Sequence, residues 1–256
     1  MKLELRDKFI QLWSKYFGDS DLPMVYYYTN DDIEGELVER NKDLKGYPCF
    51  LSNLSRVIEG EDLRFSKKSF GCPGALAYTG FQELKMPNFE YFLSCGIEGK
   101  MEGERYKRTP ELAMAYKNSL PEFKAPKEYL VFKRWDKLTE KDNPEVVVFF
   151  AKPDVLSGLF TLSNFEDGGL TNVVAPFVAG CGSMILLPST ERLEKDEKTY
   201  LGMFDVSARP SVPSNTLSFA MSIERFERMI DCMEESFVIT RSWDKVKERM
   251  DTEFAL

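Results

Sequence analysis

Five cysteines and no histidine set the range of chemistry open to this 256-residue chain. Imidazole is the side chain most used as a general base and the commonest metal ligand. Its absence excludes Ser–His and Cys–His nucleophile pairs and every histidine-based zinc pattern at once. Thiol, carboxylate, amine, phenol, guanidinium and backbone groups remain. Four of the thiols stand in glycine- or proline-bounded segments: Cys49 in PCFL, Cys72 in GCPG, Cys95 in SCGI and Cys181 in GCGS. Cys232 falls inside an amphipathic C-terminal segment and reads as packing.

Cys72 is the candidate nucleophile. Pro73 fits the first position of a helix, where its missing N–H costs nothing and its φ is already helical. That puts Cys72 at the cap, against free backbone N–H groups and the positive end of the helix dipole, where thiolates are favoured. Lys67, Lys68 or a carboxylate would stand in for the missing imidazole. Gly74, Ala75 and Ala77 leave the helix bare enough for close approach of a ligand or another backbone. A strand-to-helix turn with an inert cysteine explains the same residues. Pro48 likewise suits the first helical position, so Cys49 is expected inside a helix's first turn, again at a positive helix end.

Three readings follow. In the first, glycine-rich turns and aromatic walls form a pocket for a small ligand or cofactor, lined by Cys72, Pro73, Gly74, Gly180, Cys181, Gly182, Ser183 and Arg209, with Arg209 pairing an anionic group. In the second, Cys49, Cys72, Cys95 and Cys181 hold a metal or an iron–sulfur cluster. In the third, Cys72 is an activated nucleophile. No C-x-x-C occurs. The interval of 23 residues between Cys49, Cys72 and Cys95 carries no shared pattern, so it is not a repeat. The G-x-G at Gly180 and Gly182 lacks the third glycine and precedes an expected strand, the reverse of the dinucleotide-binding order.

The elements that must position these residues mix throughout. Helical spacing is expected over 3–17, from Pro48 through Val57, over 109–120, from Pro153, from Ile223 through Phe237 and from Trp243, with a short helix capped by Thr171. Strands are expected at 22–29, 63–65, 129–135, 146–150, within SMILLP after Cys181, at 201–206 and at 216–221. The fold class is therefore α/β or α+β, with a mixed sheet or sheets and helices packed around. A single domain is expected, with halves 1–120 and 127–256 joined by PEFKAPK. Asp31, Asp32 and Glu34 make an acidic turn without the spacing of a calcium loop.

Composition narrows the partners. Forty-three per cent hydrophobic residues and 20 Phe promise a ring-rich core or pocket, while a net charge of −8 argues against nucleic acid. No apolar run approaches a membrane span and the N-terminus lacks a signal-peptide core. A cytoplasmic protein with a small-molecule partner is expected. Neither a reaction nor an oligomeric state follows from the residues.

The blocks FGCPGALAYTGF, FEYFLSCGIEGKMEGERY, KEYLVFKRW, VVAPFVAGCGSMILLP, YLGMFDVSARPSVPSNTLSFAM and MEESFVITRSWDKV together resemble domain-of-unknown-function family 169, from about residue 20 to the C-terminus. The resemblance brings no catalytic residues with it. It implies that Cys72-Pro73-Gly74, Gly180-Cys181-Gly182-Ser183 and Asp205 to Pro210 with Arg209 are hallmarks of the group. Some members carry a cysteine near the position of Pro188 or Ser189; this chain does not, which weakens a four-thiolate cluster.

Overall fold

The computed structural model describes residues 3–32, 35–40, 49–192 and 197–253. Glu34 and Pro48 lie outside them. Among the described residues, eight strands form one mixed sheet in the order β2-β3-β4-β1-β5-β8-β7-β6. The strands are β1 (Met24–Thr29), β2 (Glu36–Leu37), β3 (Leu63–Ser66), β4 (Tyr129–Arg134), β5 (Val146–Ala151), β6 (Val173–Val174), β7 (Thr199–Gly202) and β8 (Leu217–Ser222). Only β2–β3 and β6–β7 run parallel; the other pairs are antiparallel. β1 lies between β4 and β5, so strands from both sides of residues 121–127 share this sheet.

The two-residue period of the strands sorts their side chains into two cores. Met24, Tyr26 and Tyr28 of β1 and Val146, Val148 and Phe150 of β5 face one layer. It comprises a 3-10 turn (Phe50–Asn53), α2 (Leu54–Ile58), α3 (Pro73–Tyr78) and a helix ending in α7 (Leu187–Glu191). Val25, Val147 and Phe149 face the other layer, made by α1 (Leu3–Phe17), α6 (Pro153–Ser163), α8 (Ile223–Cys232) and α9 (Arg241–Glu253). Phe9 and Phe226 meet edge to face there at 4.9 Å. Each fully buried ring of this kind contributes roughly 2–3 kcal/mol by leaving water. No helix among the described residues is long and apolar enough to cross a membrane.

Between β3 and β4 the chain leaves the sheet to build a lobe around α4 (Phe89–Leu93) and α5 (Pro110–Ser119), with its own small core of Phe89, Leu93 and Ala113. Thr109 caps α5 and Pro110 starts it, as its sequence predicts. The lobe's two connections cross at Gly80, whose carbonyl accepts the Ala125 N–H at 2.9 Å.

Several expected elements differ. The run after Cys181 is helical: Gly182–Leu186 form a π-helical turn that continues into α7. Residues 181–186 are all buried, and an apolar run buried on every side has no period to distinguish strand from helix. Residues 173–174 pair as β6, so no Thr171-capped helix forms. The strand expected to reach Val206 stops at Gly202, because Met203 turns the backbone into the left-handed region, with φ 69°.

Candidate functional site

The residues with chemical potential meet on the α3 side of the sheet. Cys72 caps α3 with extended backbone (φ −88°, ψ 125°), and Pro73 occupies the first position, as the GCPG sequence predicts. Its thiol makes no capping hydrogen bond and is half-buried. Lys67 and Lys68 stand exposed on the preceding 3-10 turn. Cys49 is itself the cap of the Phe50–Asn53 turn rather than a residue inside a first helical turn. It lies within reach of the Ser211 hydroxyl, and burial pushes its thiol up. Cys181 is buried at the head of the π-helical turn; its thiol is pushed up well above the ordinary range by burial first, then by Cys72, Cys49 and Asp205. Cys49 and Cys72 both pack against the core that contains Cys181.

The remaining cysteines lie elsewhere. Cys95 is exposed on the lobe, its sulfur against the Ser94 hydroxyl and the Gly96 carbonyl. Cys232 ends α8, half-exposed rather than in the core, its thiol pushed up to about 11 by burial and by Glu166. Among the described residues, no three Cys, Asp or Glu side chains are grouped to hold a metal ion. The four-thiolate set therefore does not fit a metal or cluster in this geometry.

The glycines around Cys181 serve close packing. A Cβ on Gly180 would stand 2.7 Å from Met203 Sδ, and one on Gly182 would overlap Val178. Ser183 is buried, and its hydroxyl donates to the Gly180 carbonyl at 2.9 Å. Beneath it, Tyr26 of β1 donates to the Ile185 carbonyl at 3.1 Å and shares a 2.8 Å bond with Ser189. Pro188, which helps open α7, and Ser189 are buried structural residues here.

Asp205 ties the Cys181 turn to the loop after β7. Its Oδ2 accepts the Gly180 N–H at 3.2 Å, and Oδ1 accepts the Ser207 N–H at 3.0 Å and the Ser207 hydroxyl at 2.8 Å. Arg209 is spent on its own loop: Nη1 donates to Thr216 O at 2.7 Å, and Nη2 to Pro213 O at 3.1 Å and Ser214 O at 2.6 Å. Tyr78, at the end of α3, shares a 3.3 Å hydroxyl contact with Tyr116 of α5. Tyr116 also lies within reach of the Ala179 backbone, and Tyr106 within reach of Ser207. Burial raises all three phenols, and the negative charge of Asp205 adds to each shift. Phe177, 59% exposed, meets Tyr116 edge on at 5.6 Å, with Lys107 Nζ 3.8 Å from the Phe177 ring centre.

Among the described residues, three that are not glycine have left-handed backbone: Asn88, Arg105 and Met203. Two of these flank this surface. Arg105 precedes Tyr106 and Lys107 on the lobe, and Met203 precedes Asp205 on the sheet side. Such conformations cost of order 1–3 kcal/mol and concentrate where function demands a fixed side-chain direction.

Two cavities open beside this surface and away from it. One, of about 760 Å³, lies at the neck of the lobe between Tyr78, Phe81, Leu120, Phe123 and Leu186. The other, of about 620 Å³, lies where β5 enters α6, near Pro213 and Thr216. Neither is lined by a cysteine, although the first shares Tyr78 with the thiol surface.

Residues 23–231 match the model of a family described as an uncharacterised ArCR group, domain-of-unknown-function family 169 (DUF169). The chain belongs to that family. Every residue of the surface from Cys49 to Asp205 lies inside the DUF169 match, whereas α1 and α9 lie outside it. The C-terminal block MEESFVITRSWDKV lies beyond it too. No curated protein and no solved structure matches the chain.

The sequence points to Cys72, Cys181 and the Gly180 turn; Cys72 packs against the core that contains Cys181. It misses Tyr78, Tyr106, Lys107, Tyr116 and Phe177. No local pattern marks these; they arrive through the docking of the lobe.

Proposed function

We propose that the surface formed by Cys49, Cys72, Asp205 and the lobe tyrosines binds a small organic ligand or cofactor. The observation that carries this reading is the convergence of half-buried Cys49 and Cys72 on the core that contains Cys181, beside an Asp205 whose charge reaches Cys49, Cys181 and Tyr116 alike. The buried Cys181 and the packed glycines then serve as the floor, and Arg209 holds the loop that carries Asp205. A nucleophilic role for Cys72 has less behind it, since Lys67 and Lys68 are exposed and the thiol makes no capping bond.

The test is protection of thiols. The protein is labelled with N-ethylmaleimide with and without the small-molecule fraction of a cell extract, and each cysteine is followed by peptide mass. Slower labelling of Cys72 and Cys49, with the rate at Cys95 unchanged, supports binding at this surface. Equal rates at all positions with every fraction defeat the reading.

A further inference from the structure

We propose that the surface between Asp205, Tyr116 and Phe177 takes an organic cation, a protonated amine or a quaternary ammonium, and that Lys107 holds this place until the ligand displaces it. The proposal rests on the binding reading above and assigns a charge to its ligand. The carboxylate comes first. Asp205 is half-buried and is oriented by the Gly180 N–H, the Ser207 N–H and the Ser207 hydroxyl. These are neutral donors, which fix the carboxylate without cancelling its charge. Arg209 directs its guanidinium to carbonyls of its own loop instead.

The rings come second. Phe177 is 59% exposed and stands edge on to Tyr116 at 5.6 Å, so the ring pair is accessible from solvent. Aromatic faces attract cations through their quadrupole. Lys107 Nζ already sits 3.8 Å from the Phe177 ring centre and 5.3 Å from that of Tyr116. The rings therefore accept a positive charge in this structure. Lys107 is carried there by the left-handed turn at Arg105 and by its own N–H, which donates to the Leu93 carbonyl at 3.0 Å.

The two parts adjoin. Tyr116 reaches the Ala179 backbone, and the next residue, Gly180, binds Asp205. Once Lys107 has moved off the rings, an anion would meet the Asp205 charge and the negative ring faces together. A metal ion finds no set of three Cys, Asp or Glu ligands among the described residues. A cation with apolar substituents matches the carboxylate and the rings at once.

Isothermal titration with choline chloride, and with sodium butyrate as an anion of similar size, tests this. Choline is expected to bind and butyrate not. Lys107→Ala removes the internal competitor and should tighten choline by about tenfold, while Phe177→Ala and Asp205→Asn should each weaken it by about tenfold. Phe177→Ala guards against a folding effect, because that side chain is mostly exposed. Three results overturn the proposal: no choline binding in either wild type or Lys107→Ala, butyrate binding instead of choline, or choline affinity unchanged in Phe177→Ala. Thiol protection by the extract without choline binding overturns the cation and keeps the binding reading; absence of both overturns both.

Discussion

The five thiols of this chain range from exposed to buried, and burial more than sequence neighbours should set the order in which they react. Cys95 is exposed, Cys72 half-buried and Cys181 buried with its thiol pushed up. With iodoacetamide at pH 8, Cys95 should label first, Cys72 next and Cys181 last, because only the thiolate reacts and it must be reachable. Peptide mass mapping reads the order; labelling of Cys181 at the rate of Cys95 without denaturant would contradict it. The cap position of Cys72 was legible from Pro73 alone. The greater accessibility of Cys95 was not, since SCGI says nothing of which side of the lobe faces water. A second buried group gives a pH signature. Asp142, fully buried, accepts Lys133 Nζ at 2.7 Å, the Tyr27 hydroxyl, and the Thr139 N–H at 2.7 Å. Burial pushes its carboxyl up, but these bonds outweigh it and hold the carboxyl below the usual carboxylate range. Its contribution is therefore present above a pH of about 4 and is lost as pH falls through the depressed value. Asp142→Asn removes the nearer of two carboxylates facing Lys133, the other being Asp62 at 3.7 Å, and should cost about 3 kcal/mol at pH 7 in urea unfolding. The gap to wild type should narrow below pH 4; a constant gap would assign the loss to packing alone.

At the scale of elements, amphipathic helices and buried strands declared themselves, and the continuously buried helix did not. The stripe of Phe9, Leu12, Trp13 and Tyr16 gave α1, and the apolar run at 146–150 gave β5, each through its period or its length. SMILLP offers neither signal, because its π-helical turn is covered on all sides by β1, β7, β8 and α3. What fixes it as helix is fit against the sheet. A Cβ on Gly202 of β7 would overlap the Ser183 hydroxyl and stand 2.8 Å from Ser218 Oγ. Helix and strand thus approach as closely as glycine permits. Gly202→Ala should push the π-helical turn outward and destabilise the protein by about 1–3 kcal/mol. It should also disturb the surface above, since Ser183 bonds Gly180 and Gly180 binds Asp205. A thermal shift assay with thiol labelling reads both effects: a lower melting temperature with faster labelling of Cys181. Loss of stability with Cys181 still protected would place the disturbance in the sheet instead.

For the whole molecule, the expected halves gave no hint that β1 would sit between β4 and β5, because strand order is set by long-range pairing rather than local pattern. That interleaving leaves no place to divide the sheet, so we expect the sheet and its two helical layers to unfold as one cooperative unit. The lobe is the exception. Its core is small, and its connections meet at Gly80, where φ is 77° and a Cβ would stand 2.5 Å from Ala125 N and 2.7 Å from the Phe123 ring. Gly80→Ala meets both a left-handed backbone and a closed space. It should loosen the seating of the lobe without reaching β1 or β5, whose side chains are packed from both faces. Hydrogen exchange followed by mass spectrometry should then show faster exchange in α4 and α5, with β1 and β5 unchanged. Because Tyr106, Lys107 and Tyr116 ride on the lobe, the same variant should weaken any ligand held at Asp205. Equal acceleration in α5 and β5 would mean that lobe and sheet open together, and the proposed ligand surface would then open only with the core beneath it.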